Sequence, residues 1–446
     1  MNNTYNNKID LYISRYSKYK RTEEISIRDI VQNLKPDRAT HMIHPYPAKL
    51  LLHIPYFFLN NTILSKEGDT VLDPFCGSGT VLLESQLSNR YSIGIDTNPL
   101  ANIITETKVE NYQIHKLREY EKFLITEIKS QSTFTKVKFD GVNFWYSDRI
   151  RRNLSKIFHT INLIKSKKYR KFFLMCFSNL ARKVSFADPK VSVPVKLDLE
   201  RYDKRTRLYR SIEKRVKYVD SVEVKKKFLE IVRQNINRVV EKNNSTKIQY
   251  LSKVINDDLR NIVVNKNTGI LKENTIDLII TSPPYAGAQK YIRASKLNLA
   301  WLGLVKNGTL RKLDSLTIGR ENYSLKEYCN FMETGLSSAD ATLKKIHKLN
   351  PLRAHITSNY LLEMKSALEN AVKLLRDGGH MVLVIGNNNI AGVEFNTQKY
   401  LTMILQMLGL ELIAKLVDNI KSYGLMTKRN KTARIINREW ILIFKK

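Results

Sequence analysis

The stretch with the densest chemistry is Asp277-Leu278-Ile279-Ile280-Thr281-Ser282-Pro283-Pro284-Tyr285. Its apolar run reads as a short buried strand that ends at two prolines. Neither proline has a backbone N–H, so the chain must leave the sheet there. It leaves presenting the Ser282 hydroxyl, the unpaired carbonyls around Pro283 and Pro284, and the Tyr285 ring. That is a small polar pocket with a stacking face at the carboxyl end of a strand, where open α/β sheets bind ligands. A planar, amine-bearing base fits it.

A second constellation lies far upstream. Thr70-Val71-Leu72-Asp73 reads as a strand, Pro74-Phe75-Cys76-Gly77-Ser78-Gly79-Thr80 as a glycine turn, and Val81 to Leu87 as a helix. Strand, glycine turn and helix open a nucleotide-type unit, in which Gly77 and Gly79 let backbone approach a ligand and the helix start offers N–H groups to a carboxylate. A second strand, Tyr91 to Ile95, ends in Asp96, an acid placed to accept two ribose hydroxyls. No Gly-Lys-Ser/Thr follows, so this is not a phosphate-cradling loop. A single glycine pair suits a nucleoside with an amino-acid tail better than a pyrophosphate.

The elements that position these residues are embedded in a strongly basic chain. Its 446 residues carry 75 Lys+Arg against 42 Asp+Glu, a formal charge of +33. Residues 141–250 hold 28 Lys+Arg against 10 Asp+Glu, so more than half of the excess sits in a quarter of the chain. Concentration of this kind points to a polyanionic partner, since phosphate neutralisation dominates nucleic-acid binding. Aromatics interleave the charge: Phe144-Trp145-Tyr146 precede Arg149, Arg151 and Arg152, and Tyr202 and Tyr209 flank Arg205, Arg207 and Arg210. Ile150, Leu154, Ile157, Ile161 and Val224, Phe228, Val232, Ile236 recur at helical spacing.

The expected architecture is α/β, a Rossmann-like seven-stranded sheet interrupted by a largely helical basic insertion. Its parts are 1–109 with the glycine turn, 110–245 as the insertion, and 246–446 with the Pro-Pro turn. Beyond the insertion the pattern predicts a strand over Ile248 to Ile255, an irregular segment over 305–360, and a helix over Leu361 to Leu375 stopped by Asp377-Gly378-Gly379. Strand Met381 to Ile385, helix Thr397 to Leu408, strand Leu410 to Leu416, a basic run Lys428 to Arg434 and strand Trp440 to Phe444 complete it. Residues 1–35 give only a hint of a short element.

Some classes are excluded on composition. Cys76, Cys176 and Cys329 are widely separated and form no CxxC pair, so a disulfide framework or zinc site is not expected and a reducing interior is. His41 and His44 lack the companion ligands of a metal site. The polar start lacks a signal-peptide core and no apolar run reaches spanning length, which together lead to an expected cytoplasmic location without a membrane partner.

With these residues in hand, the chain resembles the S-adenosylmethionine-dependent amino-methyltransferases that act on DNA bases. Asp73 to Thr80 is similar to the family's cofactor loop nearly letter for letter, and Thr281-Ser282-Pro283-Pro284-Tyr285 to its catalytic tetrapeptide in the serine form typical of cytosine-N4 enzymes. His44-Pro45-Tyr46-Pro47-Ala48-Lys49 resembles the motif ahead of the cofactor loop. Asp258, next to Asp257, resembles the acid that contacts the cofactor adenine, and Arg438-Glu439-Trp440 the closing motif.

The resemblance covers about 36–110 and 245–446, and implies a double-stranded DNA substrate, S-adenosyl-L-methionine as cofactor and a cognate restriction endonuclease as partner. It implies catalysis by Ser282, Pro283, Pro284 and Tyr285, and cofactor binding by Asp73, Phe75, Gly77, Gly79, Thr80, Asp96 and Asp258. The insertion falls where permuted members place target-recognition sequence, which makes Arg149, Arg151, Arg152, Arg205, Arg207 and Arg210 candidate DNA contacts. Adenine-N6 methylation, RNA guanine-N2 methylation and a catalytically dead DNA-binding module are the alternatives. Carbon-5 methylation is disfavoured, because it needs a Pro-Cys nucleophile where Pro-Pro-Tyr stands.

Overall fold

A computed structural model describes residues 2–47, 49–132, 134–247, 249–264, 271–286, 290–419 and 438–446. Its strands are β1 (Glu23–Ile25), β2 (Thr70–Asp73), β3 (Tyr91–Asp96), β4 (Ser252–Asn256), β5 (Ile276–Thr281), β6 (Leu375–Ile385), β7 (Asn388–Ile390), β8 (Val393–Phe395), β9 (Glu411–Asn419) and β10 (Arg438–Lys445). Eight of them form one sheet in the order β1-β9-β10-β6-β5-β2-β3-β4, while β7 and β8 make a separate hairpin. Within that sheet only β10 runs antiparallel to its neighbours. The expected seven strands are therefore joined by an eighth, the short edge strand β1.

From β2 the chain proceeds outward through β3 and β4, and from β5 it proceeds the other way through β6. The strand order thus reverses between β2 and β5, which pair directly through Val71↔Leu278 and Leu72↔Ile279. A crevice opens at the carboxyl ends of strands at such a reversal.

Both sheet faces are buried, and the period-2 alternation of β5 shows why its central residues Leu278, Ile279 and Ile280 are all apolar. Ile279 packs with Leu72, Met381 and Leu383 under the helices Pro351–Leu374 and Thr397–Met407. Leu278 and Ile280 point the other way, toward Ile9, Ile54, Phe57 and Val81.

Three expectations need correction. An 18-residue helix, Asn2–Tyr19, fills the N-terminal region where the residue pattern shows only a hint. Residues 305–360 are not irregular throughout. Helix Ser337–Leu349 lies there, and the next helix starts at Pro351 rather than Leu361, with the Asn350 side chain accepting the Arg353 N–H and Pro351 at the first position. That start is a capping signal of the ordinary kind. Finally, Gly378 and Gly379 do not cap a helix. They lie inside β6, where Leu375 pairs with Ile276 but His380 with Leu278, so the pair forms an irregular bulge. Strand β4 starts at Ser252; Ile248 and the basic run Lys428 to Arg434 lie outside the described residues.

The insertion is helical: Ile114–Ser130, Asp148–Asn162, Lys167–Lys183, Arg207–Ser221 and Val224–Ser245 are its long helices. They enclose a core of their own that includes Leu124, Leu154, Phe172, Phe177 and Phe228, and that also takes in Ile43, Leu297 and Trp301 from outside the segment. Trp145, Tyr146 and Tyr169 belong to this core, so these aromatics are packing groups rather than a surface stacking platform.

Candidate functional site

The two turns singled out in the sequence meet at the crevice. Asp73 ends β2 and Thr281 ends β5, and the Thr281 hydroxyl donates to Asp73 Oδ1 at 2.8 Å. The same oxygen accepts the Phe75 N–H at 3.2 Å. Asp73 is nearly inaccessible, and burial pushes its carboxyl up to about 7 despite those two bonds, with the nearby Asp96 charge raising it further. Asp96 ends β3 and takes the Gly77 N–H at 2.9 Å and the Asn98 N–H at 2.8 Å on its two oxygens. Burial lifts it to about 6. Each carboxylate oxygen keeps acceptor capacity beyond the bond it makes.

Gly77 and Gly79 have φ of +49° and +71°, the left-handed region that penalises a side chain. At Gly79 a Cβ would also fall 2.4 Å from Thr105 Cγ2. Thr105 cannot turn away freely, because its hydroxyl donates to the Gly77 carbonyl at 2.9 Å. The turn is therefore clamped from behind by helix Pro99–Val109 while its front faces the crevice.

The crevice is an open cleft of about 710 Å³. Phe75, Gly77, Asp96 and Asp258 from the expected cofactor set line it together with Ser282 and Pro284. Asp73 and Thr80 open into an adjoining recess of about 340 Å³, into which Phe75 and Ser282 also reach. Gly79, Pro283 and Tyr285 line neither space, and none of the six arginines does. Tyr285 instead donates its hydroxyl to Glu439 Oε1 at 2.8 Å, and the Ser282 side chain hydrogen-bonds the same tyrosine. Burial raises Glu439, and burial with the Glu439 charge holds Tyr285 well above its ordinary value.

Asp258 is already paired. Its carboxylate binds Arg260 at 3.0 Å (Nε) and 2.5 Å (Nη2), and Arg260 continues to Glu363 at 2.7 Å. Asp257 is exposed in the same cleft and accepts the Asp258 N–H at 2.7 Å. The histidines ahead of the cofactor loop are structural: His41 Nε2 sits 2.6 Å from Glu84 and His44 Nε2 3.0 Å from the Ser178 hydroxyl.

Several lining residues escape a reading of the sequence. Tyr46 stands in a Pro-Tyr-Pro motif that assigns it no task; its hydroxyl accepts from Asn98 Nδ2 at 3.0 Å and its ring walls both spaces. Leu259 and Ile318 add apolar walls, and the buried Ser78 hydroxyl has no partner among the described residues. Single apolar positions outside a motif leave no sequence signal.

The donor and acceptor set fits S-adenosylmethionine. Phe75, Leu259 and Ile318 offer apolar faces for a purine, Asp96 offers acceptors for ribose hydroxyls, and Asp73 with the unpartnered Ser78 hydroxyl suits an ammonium and a carboxylate. Of the arginines expected to meet DNA, Arg149 donates to the Val219 and Val222 carbonyls at the end of helix Arg207–Ser221, Arg151 to the Val137 carbonyl and Asn143, and Arg152 to Asp148. Arg205, Arg207 and Arg210 are exposed.

Comparison with known proteins supports the resemblance to DNA amino-methyltransferases. A family model described as DNA methylase, for N6 and N4 enzymes, matches residues 3–106. The Type II methyltransferase M.MvaI of Kocuria varians is 22% identical over 429 residues, covering 91% of this chain and 89% of that one. M.MjaII of Methanocaldococcus jannaschii is 30% identical over 133 residues, 30% of this chain and 24% of its own. M.BsoBI of Geobacillus stearothermophilus is 25% identical over 255 residues, 54% and 48% respectively. Among the described residues, no helix is long and apolar enough to cross a membrane.

Proposed function

We propose that this chain, an S-adenosylmethionine-dependent DNA amino-methyltransferase, acts on the exocyclic N4 amine of cytosine in double-stranded DNA as the modification half of a Type II restriction system. The observation that carries the reading is the hydrogen-bonded junction of Asp73 and Thr281. It joins the ends of two neighbouring strands, and Ser282 and Pro284 beyond one share a cleft with Phe75 and Gly77 beyond the other, which supports reading the two turns as one site.

Bound there, S-adenosylmethionine supplies an electrophilic methyl group on a sulfonium. The protein's task is to make a poor nucleophile attack it. An exocyclic amine has its lone pair delocalised into the ring, and two acceptors drawing on its two N–H bonds return that pair to nitrogen. Ser282 Oγ and the Pro283 carbonyl are the acceptors, fixed before the reaction and so costing no reorganisation during it. We assign the base-stacking role to Tyr285, whose hydroxyl Glu439 holds and whose ring lies behind the two spaces rather than in their walls. A duplex base reaches this pocket only by leaving the stack. Asp96 orients the ribose, Asp73 the methionine ammonium and Ser78 the carboxylate. Since Arg260 occupies Asp258, Asp257 is the better placed acceptor for the adenine amine. Serine ahead of Pro-Pro favours cytosine over adenine, and the basic insertion 110–245 is the target-recognition part.

The test is incubation with labelled S-adenosylmethionine and either duplex DNA or RNA, followed by hydrolysis to nucleosides. Label in N4-methylcytosine is the expected outcome. Label in N6-methyladenine would transfer the reading to adenine, and label in RNA alone would discard the DNA assignment.

A further inference from the structure

A second, larger cleft of about 1,360 Å³ lies beside the first, between the insertion helices and helix Tyr291–Trp301. Tyr46 lines both. So does helix Tyr291–Trp301, which presents Tyr291 to the first cleft and Ala294 and Ser295 to the second. The two spaces are thus about one helical turn, roughly 5.4 Å, apart along that helix.

Four cations line the second cleft: Arg182, Lys183, Arg215 and Lys227. Their opposing charges are few. Lys227 pairs with Glu230 at 2.8 Å, and Asp188 lies near both arginines. The arginines are half-spent on backbone. Arg182 Nη2 donates to the Val191 carbonyl at 2.9 Å and the Asp188 carbonyl at 3.3 Å, and Arg215 Nη2 to the Lys183 and Ser185 carbonyls. Yet Arg182 Nη1 and Arg215 Nε are buried donors with no partner among the described residues, as is the Asn179 side-chain oxygen among acceptors. Turning the Asn179 amide over would offer an N–H instead, and the two orientations are isosteric. A buried guanidinium N–H left unpaired costs about 1–3 kcal/mol or more, so such donors favour an acceptor, a water or an anion, at the cleft. Arg215 also lies 5.1 Å over the exposed Tyr218 ring, which keeps its plane fixed.

We propose that this cleft holds backbone phosphates of the substrate strand next to the extruded nucleotide, with Arg182 and Arg215 as the fixed donors and Lys183 and Lys227 as flanking cations. The inference rests on the DNA reading above and adds the surface that anchors the strand. A flipped base carries its phosphates with it, so cations beside the base pocket can anchor the strand, and this cleft shares the Tyr46 wall with the first. It adds two guanidinium groups to the expected set of DNA-binding arginines.

The experiment uses the full chain and a fluorescein-labelled duplex, with anisotropy read across a range of salt. Arg215→Met, and separately the double variant Lys183→Gln/Lys227→Gln, should each weaken binding about tenfold. Each should also flatten the log K against log salt slope by about one for every phosphate that is no longer neutralised. Affinity for S-adenosylmethionine, measured by calorimetry, should stay at the wild-type value in both. The double variant changes two solvent-facing lysines, so it answers the question even where Arg215→Met misfolds. Wild-type DNA affinity and slope in the double variant would overturn the cleft while leaving the methyltransferase reading intact. A wild-type protein that neither binds nor methylates duplex DNA would overturn both.

Discussion

At the scale of residues, the most informative group is Asp73. Its carboxyl, ordinarily near 3.8, is raised to about 7 by burial. A carboxyl raised on folding makes the cofactor-free protein lose stability as pH climbs from its ordinary value through about 7, because ionisation must occur in a buried place. In the proposed site the methionine ammonium pairs with that same ionised form. Affinity for S-adenosylmethionine should therefore increase with pH up to about 7 and level off above, and Asp73→Asn should bind weakly at every pH with no such rise. Calorimetry from about pH 5.5 to about pH 8.5, either side of the raised value, reads this directly; a flat wild-type profile would detach Asp73 from the ammonium. Ser282→Ala removes the proposed amine acceptor and trims the cleft wall by one hydroxyl, while Phe75, Asp96 and Leu259 stay in place. It should lower turnover by about 10²-fold, as loss of one preorganised hydrogen-bonding group does, with cofactor affinity within about twofold of wild type. Turnover unchanged in single-turnover assays would take the serine out of the mechanism.

At the scale of elements, the glycine turn and helix Pro99–Val109 act as one unit. Gly79→Ala meets both a left-handed φ and a Cβ 2.4 Å from Thr105. It should cost about 2 kcal/mol or more, since the conformation alone penalises L-residues by roughly 1–2 kcal/mol. A thermal melt within a degree of wild type would mean that the turn relaxes without cost. Both turns are legible because each is a strand end followed by residues that cannot continue a sheet, Gly77 and Gly79 in one and Pro283 and Pro284 in the other. The β6 bulge is not, because Asp377-Gly378-Gly379 after an amphipathic run looks the same whether a helix stops or a strand buckles; pairing with β5 decides. Charge pattern also leaves a second use unseen: Arg149 is exposed, as its sequence suggests, and its donors also close the end of helix Arg207–Ser221, a tertiary use that no local spacing reveals.

At the scale of the molecule, the insertion interrupts the sheet's chain order without interrupting its packing. Trp301 is fully buried and touches Phe139, Tyr146 and Phe177 edge-on at ring separations of 5.5–5.6 Å. It belongs to helix Tyr291–Trp301, beyond the insertion, so the insertion's core is completed from elsewhere. Trp301→Ala should cost about 3–5 kcal/mol in denaturant unfolding, the range for emptying an aromatic site. A fragment spanning 110–245 should melt without a cooperative transition by circular dichroism; a sharp transition would show that the segment is self-sufficient. The same helix flanks the two clefts, and so ties the strand-anchoring space to the chemistry.

One consequence follows from the single bond between Thr281 and Asp73. A proton leaving Asp73 strengthens its hold on the threonine that stands immediately before Ser282, since a charged acceptor binds a hydroxyl harder than a neutral one. The proposed cofactor acid and the proposed base-binding turn are therefore joined through this one hydrogen bond. Thermodynamic reciprocity requires that any change one guest, methyl donor or nucleobase, makes through this bond in the affinity for the other be returned by the same factor.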